Sequence, residues 1–180
     1  MAAHGAAHGG AGSSPSPSPW VERFAPLVAS GGNVLDLACG GGRHGRLFLE
    51  RGHPVSFLDR DLSGVADLQG DDRAELIQAD LEAGPWPLQD GRRFAAVVVT
   101  NYLWRPLRPR LFAALQPGGM LIYETFMRGN ERFGKPSNPD FLLLPHELLD
   151  WCRDAGCDIR AFEQGEEAHA VRQRICAVKG

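Results

Sequence analysis

The sequence lacks the features that would place it in a membrane, on nucleic acid or in a secretion pathway. No apolar run is long enough to cross a bilayer. The N-terminus has no basic region followed by an apolar core, so no secretory signal is predicted. The formal net charge of −3 gives no overall field that would attract nucleic acid or an anionic membrane. We therefore expect a cytoplasmic protein with no membrane partner and no nucleic-acid partner.

Cysteine is scarce, and its spacing is uninformative. No two of the four cysteines form a C-x-x-C pair, and their spacing matches no zinc pattern. We expect reduced thiols and no metal site; the residues are Cys39, Cys152, Cys157 and Cys176. Lysine occurs only at positions 135 and 179, so arginine supplies almost all of the positive charge.

The first part of the chain differs in composition from the rest. After the initiator Met, residues 1–19 are Ala, Gly, His, Ser and Pro, with no acidic residue, Lys or Arg. Such a segment cannot bury a core, so we expect a disordered tail. The remaining residues, 20–180, have the length of one domain. The whole chain is 43% hydrophobic and 23% charged, which is typical of a globular protein.

Helical and strand patterns alternate through residues 20–180. This alternation predicts a doubly wound α/β fold, with a mostly parallel sheet and helices on both faces. The last two strands have only a short link, so they can pair only as an antiparallel hairpin. The predicted strands are 33–37, 54–59, 74–79, 94–100, 120–126, 158–164 and 171–178, and the predicted helices are 20–29, 43–51, 62–69, 108–115 and 145–155.

The stretch 33–46 carries the most specific signal. Apolar residues surround Asp36, small residues follow at once, and a helix-compatible run begins at Arg43. Glycine has no Cβ, so a ligand can lie against the bare backbone of such a turn. The unpaired N–H groups at the start of the helix favour an anionic group. The pattern predicts a site for a nucleotide-type cofactor.

Two cofactor classes compete for this site. Gly40, Gly42 and Gly45 match the G-x-G-x-x-G fingerprint of dinucleotide-binding proteins, so an NAD(P)-dependent oxidoreductase is one interpretation. However, Asp36 would repel a pyrophosphate, whereas S-adenosylmethionine carries an ammonium and a sulfonium and no phosphate. The chain also lacks a Tyr-x-x-x-Lys pair. These features favour S-adenosylmethionine; a cofactor-binding module without catalysis is the third interpretation.

The run Asp36-Leu-Ala-Cys-Gly-Gly-Gly-Arg-His44 resembles the first motif of class I S-adenosylmethionine-dependent methyltransferases. Its Cys-Gly-x-Gly-Arg-His portion is similar to small bacterial members, including the tellurite-resistance methyltransferase group. The resemblance covers about residues 20–180. It implies a seven-stranded sheet of order 3-2-1-4-5-7-6 with an antiparallel last strand, and methyl transfer to a small-molecule substrate.

Polar residues follow several predicted strands, where ligands of open α/β sheets bind. Asp59 lies where an acidic residue would bind ribose hydroxyls, with Asp61 as a rival. The resemblance implies that Asp80 accepts from the adenine amino group and that His44 faces the methionine half. The predicted cofactor-binding set is Asp36, Ala38, Gly40, Gly42, Arg43, His44, Asp59, Arg60, Asp80, Leu81, Asn101 and Tyr102.

Three residues are candidates for catalysis. Tyr102 and Trp104 could present aromatic faces to the sulfonium, or could simply cap the core. Glu124 is unusual in an apolar strand; it either pairs with an arginine or faces the cleft as a base or a substrate-binding group. We also expect the polar loop 128–141 to cover the acceptor site, because its length and its Gly, Asn and Pro content suit a mobile cover.

The segment 105–135 contains six basic residues and only two acids, Glu124 and Glu131. If these basic side chains converge, they would favour an anionic substrate. If they do not, they form an ordinary solvated surface.

Overall fold

The computed structural model describes residues 15–180, which form a seven-stranded sheet of order β3-β2-β1-β4-β5-β7-β6. Strands β1 to β5 pair in parallel, and β7 runs antiparallel to both β5 and β6. The predicted order and the antiparallel last strand are confirmed. The strands are β1 (Val34–Leu37), β2 (Val55–Asp59), β3 (Ala74–Gln78), β4 (Phe94–Thr100), β5 (Leu115–Phe126), β6 (Cys157–Glu167) and β7 (Ala170–Lys179).

Helices cover both faces of the sheet, because the central strands are apolar on both sides. The helices are α1 (Pro19–Phe24), α2 (Arg43–Glu50), α3 (Arg108–Ala113) and α4 (Glu147–Asp154). On one face, Trp20 of α1 and Phe48 of α2 share a core with Ala96 and Val98 of β4. On the other face, Leu111 of α3 and Trp151 of α4 share a core with Val97 and Val99.

Several element boundaries differ from the predictions. Strand β5 begins at Leu115 rather than at residue 120, because Leu115 pairs with Phe94 of β4 before the register between the two strands shifts. Helix α3 accordingly ends at Ala113. The last predicted helix begins at Pro145, but α4 begins at Glu147, after His146 in a left-handed conformation (φ 62°).

The predicted tail boundary at residue 19 is also displaced. Pro19 is the first residue of α1, and buried Ser18 caps this helix by accepting from the Trp20 N–H at 3.1 Å. The Ser18 N–H in turn donates to His44. Removal of residues 2–18 would therefore disrupt contacts with the domain, whereas residues 1–14 of the predicted tail lie outside the described residues. Among residues 15–180, no helix is long and apolar enough to cross a membrane.

Candidate functional site

The glycine turn after β1 leaves part of its backbone uncovered. Ala38, Gly40 and Gly42 all have left-handed backbones, with φ between 53° and 70°. A Cβ on Gly40 would meet nothing within 4 Å, so a ligand can approach the backbone there. A Cβ on Gly45 would instead overlap the Phe57 ring, so Gly45 allows α2 to pack closely on β2.

Asp36 lies beneath this turn and is 2% exposed. Its Oδ2 accepts from the Gly45 N–H at 2.8 Å, which ties α2 to β1. Burial raises the pKa of Asp36 to about 7, against the opposing effect of the Gly45 hydrogen bond. The side chain lines neither of the two cavities described below. Any effect of Asp36 on a ligand is therefore exerted through the turn or through its charge.

A first cavity of about 320 Å³ opens at the carboxyl ends of the strands. It brings together seven of the predicted cofactor-binding residues, and we call it the carboxylate cavity. Ala79 and Glu82 also line it but were not predicted. They flank Asp80 and Leu81, so the whole segment that follows β3 could have been predicted to line the cavity. Its residues are Ala38, Asp59, Arg60, Ala79, Asp80, Leu81, Glu82, Asn101 and Tyr102.

Asp59 is held in place by two backbone donors. Its Oδ2 accepts from the Gly40 N–H at 2.9 Å, and its Oδ1 accepts from the Asp61 N–H at 3.1 Å. The rival Asp61 does not line this cavity, and its carboxylate accepts from the Ser63 N–H. The geometry thus presents Asp59, and not Asp61, next to the bare turn.

Asp80 and Tyr102 also line the carboxylate cavity. Backbone N–H groups of Glu82 and Ala83 donate to Asp80 and lower its pKa, so this exposed carboxylate remains ionised. The Tyr102 hydroxyl is buried beside the Glu82 carboxylate, and it makes no hydrogen bond of good geometry among residues 15–180. Burial and nearby carboxylates raise the pKa of Tyr102, so its hydroxyl keeps its proton and can donate to a ligand.

A second cavity, of about 630 Å³, lies beside the first and is lined by charged side chains. We call it the arginine cavity, because four arginines from α1, α2 and β7 converge there. Of the predicted site residues, Arg43 and Glu124 belong to it. Its residues are Ser16, Pro17, Ser18, Pro19, Trp20, Arg23, Arg43, Glu124, Glu163, Glu167, Arg172 and Arg174.

Asn101 connects the two cavities. It lines the carboxylate cavity, and its Oδ1 accepts from Arg172 Nη1 of the arginine cavity at 2.6 Å. Its backbone is left-handed, with φ 53°, a conformation that costs free energy for a residue other than glycine. Because Arg172 only donates, the amide oxygen of Asn101 is directed toward Arg172.

His44 is a buried connector between α2, β4 and the start of the described chain. Its Nε2 accepts from the Ser18 N–H at 3.1 Å, and its Nδ1 lies 3.2 Å from the Thr100 hydroxyl oxygen. Burial lowers the pKa of His44 to about 4, so the imidazole is neutral at pH 7. His44 lines neither cavity.

The remaining candidates divide between structural and cavity positions. Trp104 packs against the core and lines neither cavity. Glu124 lines the arginine cavity and pairs with Arg174 at 2.8 Å, so both roles suggested by the sequence meet in one residue.

The polar loop after β5 is held away from both cavities. Its buried Asn130 accepts from the Val171 N–H and donates to the Pro136 carbonyl. Arg105 donates to the carbonyls of Asp140 and Leu142. No residue of 128–141, all of them within the described chain, lines either cavity. The expected cover over the acceptor site is not supported by this arrangement.

The basic residues of 105–135 do not converge either. Four of them form ion pairs with separate acids along the chain, so they constitute a solvated surface. The pairs are Arg105–Glu147, Arg108–Asp154, Arg110–Asp90 and Arg132–Glu166.

Cysteines and acids show no sign of metal chemistry in the part of the chain that the structure describes. No group of three or more His, Cys, Asp or Glu side chains there could hold a metal ion. All four cysteines are unpaired, and burial raises the pKa of Cys152 and Cys176 to about 12.

No family model matches the sequence, and no curated protein matches it significantly. Solved structures do match. The chain aligns with TehB from Haemophilus influenzae at TM-score 0.72 and 19% identity, covering 89% of this chain but only 61% of TehB. It aligns with the 1,6-didemethyltoxoflavin-N1-methyltransferase of Burkholderia thailandensis at TM-score 0.69 and 19% identity, covering 89% and 76%. For the N-methyltransferase NodS of Bradyrhizobium japonicum the values are 0.67 and 14%, covering 88% and 92%. The chain therefore has the fold of these methyltransferase structures.

Proposed function

We propose that this chain is an S-adenosylmethionine-dependent methyltransferase acting on a small molecule. The observation that carries the proposal is the charge of the carboxylate cavity. Asp59, Asp80 and Glu82 line it against a single cation, Arg60. Such a wall attracts the sulfonium and ammonium of S-adenosylmethionine and repels the pyrophosphate of NAD(P). An oxidoreductase is therefore the less favoured alternative.

The residues present suit the cofactor. We assign Asp59 to the ribose hydroxyls, because its carboxylate is fixed beside the bare Gly40 backbone. We assign Asp80 to the adenine amino group and the unpartnered Tyr102 hydroxyl to another polar atom of the cofactor. Among the solved structures, the toxoflavin enzyme holds S-adenosylhomocysteine, and the glycopeptide N-methyltransferase MtfA has been crystallised with S-adenosylmethionine.

The remaining predicted cofactor residues either complete the cavity wall or support the glycine turn without lining the cavity. Ala38, Arg60, Leu81 and Asn101 complete the wall. Gly42 shapes the turn, Asp36 ties α2 to β1, and His44 ties α2 to β4. We place Arg43 with the arginine cavity, where the structure locates its side chain.

The chemistry needs few specialised groups. When bound, the cofactor would supply a methyl group activated on sulfur for direct transfer to a lone pair of the acceptor. The protein aligns the two molecules and excludes water. Asn101 stands between the two cavities, so the transfer is proposed to occur beside it. Tyr102 and Glu124 border the two reactants, whereas Trp104 supports the core behind them.

We also place the protein in the bacterial cytoplasm. That reducing compartment is compatible with four unpaired cysteines.

Isothermal titration tests the cofactor assignment. The chain should bind S-adenosylmethionine and S-adenosylhomocysteine with micromolar dissociation constants, on the order of −7 to −8 kcal/mol. NAD should produce no response, because the cavity wall is acidic. Tight NAD binding without a response to the sulfonium cofactor would refute the proposal. Cofactor binding without methyl transfer to any acceptor would favour a non-catalytic module.

Asp59→Ala should weaken S-adenosylhomocysteine binding by roughly 1–3 kcal/mol, because the ribose hydroxyls would lose a charged hydrogen-bond acceptor. The same titration of Asp61→Ala is the matched control and should show almost no change, since Asp61 lies outside the cavity. If Asp61→Ala is the damaging variant, the ribose lies on the other side of the loop after β2.

A further inference from the structure

We propose that Arg172 is a positioning residue for the cofactor: it holds the Asn101 side chain so that the amide NH₂ group, and not the amide oxygen, contacts the bound cofactor. The inference rests on the proposed function and adds a residue that lies outside the carboxylate cavity. Arg172 is near the start of β7, far from Asn101 in the sequence, and it lines the arginine cavity.

The Arg172 guanidinium is held on three sides. Its central carbon lies 4.0 Å from the centroid of the Phe126 ring at the end of β5, a cation–π arrangement. Its Nε lies 3.0 Å from a carboxylate oxygen of Glu167, and its Nη1 donates to Asn101 Oδ1 at 2.6 Å. The aromatic ring and the carboxylate restrict the guanidinium, so it presents a fixed donor to Asn101.

Asn101 depends on such a donor for its orientation. Its N–H donates to the Glu124 carbonyl at 3.0 Å, which ties its left-handed backbone to β5. That hydrogen bond does not fix the terminal amide, whose oxygen and nitrogen are nearly equal in size and are distinguished by their polar partners. Among residues 15–180, the hydrogen-bond partner of the Asn101 side chain is Arg172.

The orientation of this amide decides what the cavity offers to a ligand. Because Arg172 occupies the oxygen, the polar group of Asn101 left for a ligand is Nδ2 with its two N–H donors. The carboxylates of Asp59, Asp80 and Glu82, which line the same cavity, can only accept when ionised. The ribose oxygens, the adenine ring nitrogens and the carboxylate of the cofactor need donors. Arg172 thus keeps a donor in a wall rich in acceptors.

A double-mutant cycle tests the proposal, with S-adenosylhomocysteine affinity measured by isothermal titration. Asn101→Ala should weaken binding about tenfold, because it removes the donor. Arg172→Met should weaken binding by about threefold to fivefold, because the ligand must then order the amide itself. In the Asn101→Ala background the same change should cost less than about 1.5-fold, because no amide is left to orient. An Arg172 that only supported β7 would give equal losses in both backgrounds.

Three further variants sharpen the cycle. Arg172→Lys keeps a charged donor and should lose less affinity than Arg172→Met. Asn101→Asp keeps an oxygen for Arg172 but has no side-chain N–H, so it should lose as much affinity as Asn101→Ala. Arg23→Met is the matched control and should leave the affinity unchanged, because Arg23 lines the same cavity but its side chain pairs with Glu163.

Equal losses from Arg172→Met in the two backgrounds, or full affinity in Asn101→Asp, would overturn the proposal. Melting temperatures show whether each variant is folded, and Arg172→Gln replaces Arg172→Met in the cycle if the latter does not fold. If the wild-type chain binds no S-adenosylhomocysteine, the proposed function itself has failed. Binding by the wild type together with an additive cycle overturns only the role of Arg172.

Discussion

Arg174→Ala is expected to lower the free energy of unfolding by about 3 kcal/mol, because it leaves a buried carboxylate without its partner. Glu124 is 5% exposed, and its Oε2 accepts from Arg174 Nε at 2.8 Å. The two residues are direct neighbours across β5 and β7, so the pair is fixed by the strand register. Urea unfolding at pH 7 measures the change.

Two controls separate this pair from an ordinary surface ion pair. Arg160→Ala removes an arginine whose partner Asp158 is 66% exposed, and it should change stability by less than about 1 kcal/mol. The double variant Glu124→Gln/Arg174→Met removes both charges and should recover most of the loss. If Arg174→Ala costs no more than Arg160→Ala, the ion pair with Arg174 does not stabilise the fold, and a role of Glu124 as a cleft base regains support.

Asp36→Asn is expected to stabilise the protein at neutral pH and much less at acidic pH. Burial raises the pKa of Asp36 from 3.8 to about 7 in the folded chain. Well below pH 3.8 the carboxyl is protonated in both folded and unfolded chains. As pH rises toward 7 the unfolded chain ionises first, so the folded state progressively loses stability. The loss is complete above about pH 7 and is on the order of 4 kcal/mol, because one pKa unit corresponds to about 1.36 kcal/mol.

The measurement is urea unfolding of wild type and Asp36→Asn at several pH values between 4.5 and 8.5. An asparagine oxygen can still accept from the Gly45 N–H, so the variant keeps the link between β1 and α2. Its advantage should grow with pH and level off above 7. Asp61→Asn, at an exposed carboxyl whose pKa is lowered by the Ser63 N–H, should show no such growth. An Asp36→Asn difference that is constant with pH would contradict the expected titration.

The carboxylate cavity could largely be anticipated from the sequence. Its main residues lie at or just after the carboxyl ends of β2, β3 and β4, and these ends lie at one edge of a parallel sheet. Asp59, Asp80 and Asn101 therefore had to lie close together once the strand order was given. Asp36 and His44 could not be placed in the same way. Their burial depends on tertiary packing. Gly45 packs closely on Phe57 above Asp36, and Ser18 donates a hydrogen bond to His44.

The arginine cavity was beyond sequence reasoning. Its cations come from segments far apart in the chain, and only the folded sheet places Arg43 near β7. In the sequence, only the contiguous segment 105–135 indicates a cluster of basic residues. In the structure its side chains pair with separate acids, such as Arg105 with Glu147. The loop 128–141 was expected to be mobile from its composition, but buried Asn130 anchors it through two backbone groups. Neither the Arg105–Glu147 ion pair nor the hydrogen bonds of Asn130 can be recognised from a local sequence pattern.

The most direct test of the central claim is a crystal structure of the chain with S-adenosylhomocysteine. We predict that the ligand occupies the carboxylate cavity, with its ribose hydroxyls within hydrogen-bond distance of Asp59 and its adenine beside Asp80 and Leu81. Its sulfur should face Asn101 and the arginine cavity. A ligand seated elsewhere, or a carboxylate cavity that remains empty at saturating ligand and fills with NAD instead, would contradict the account.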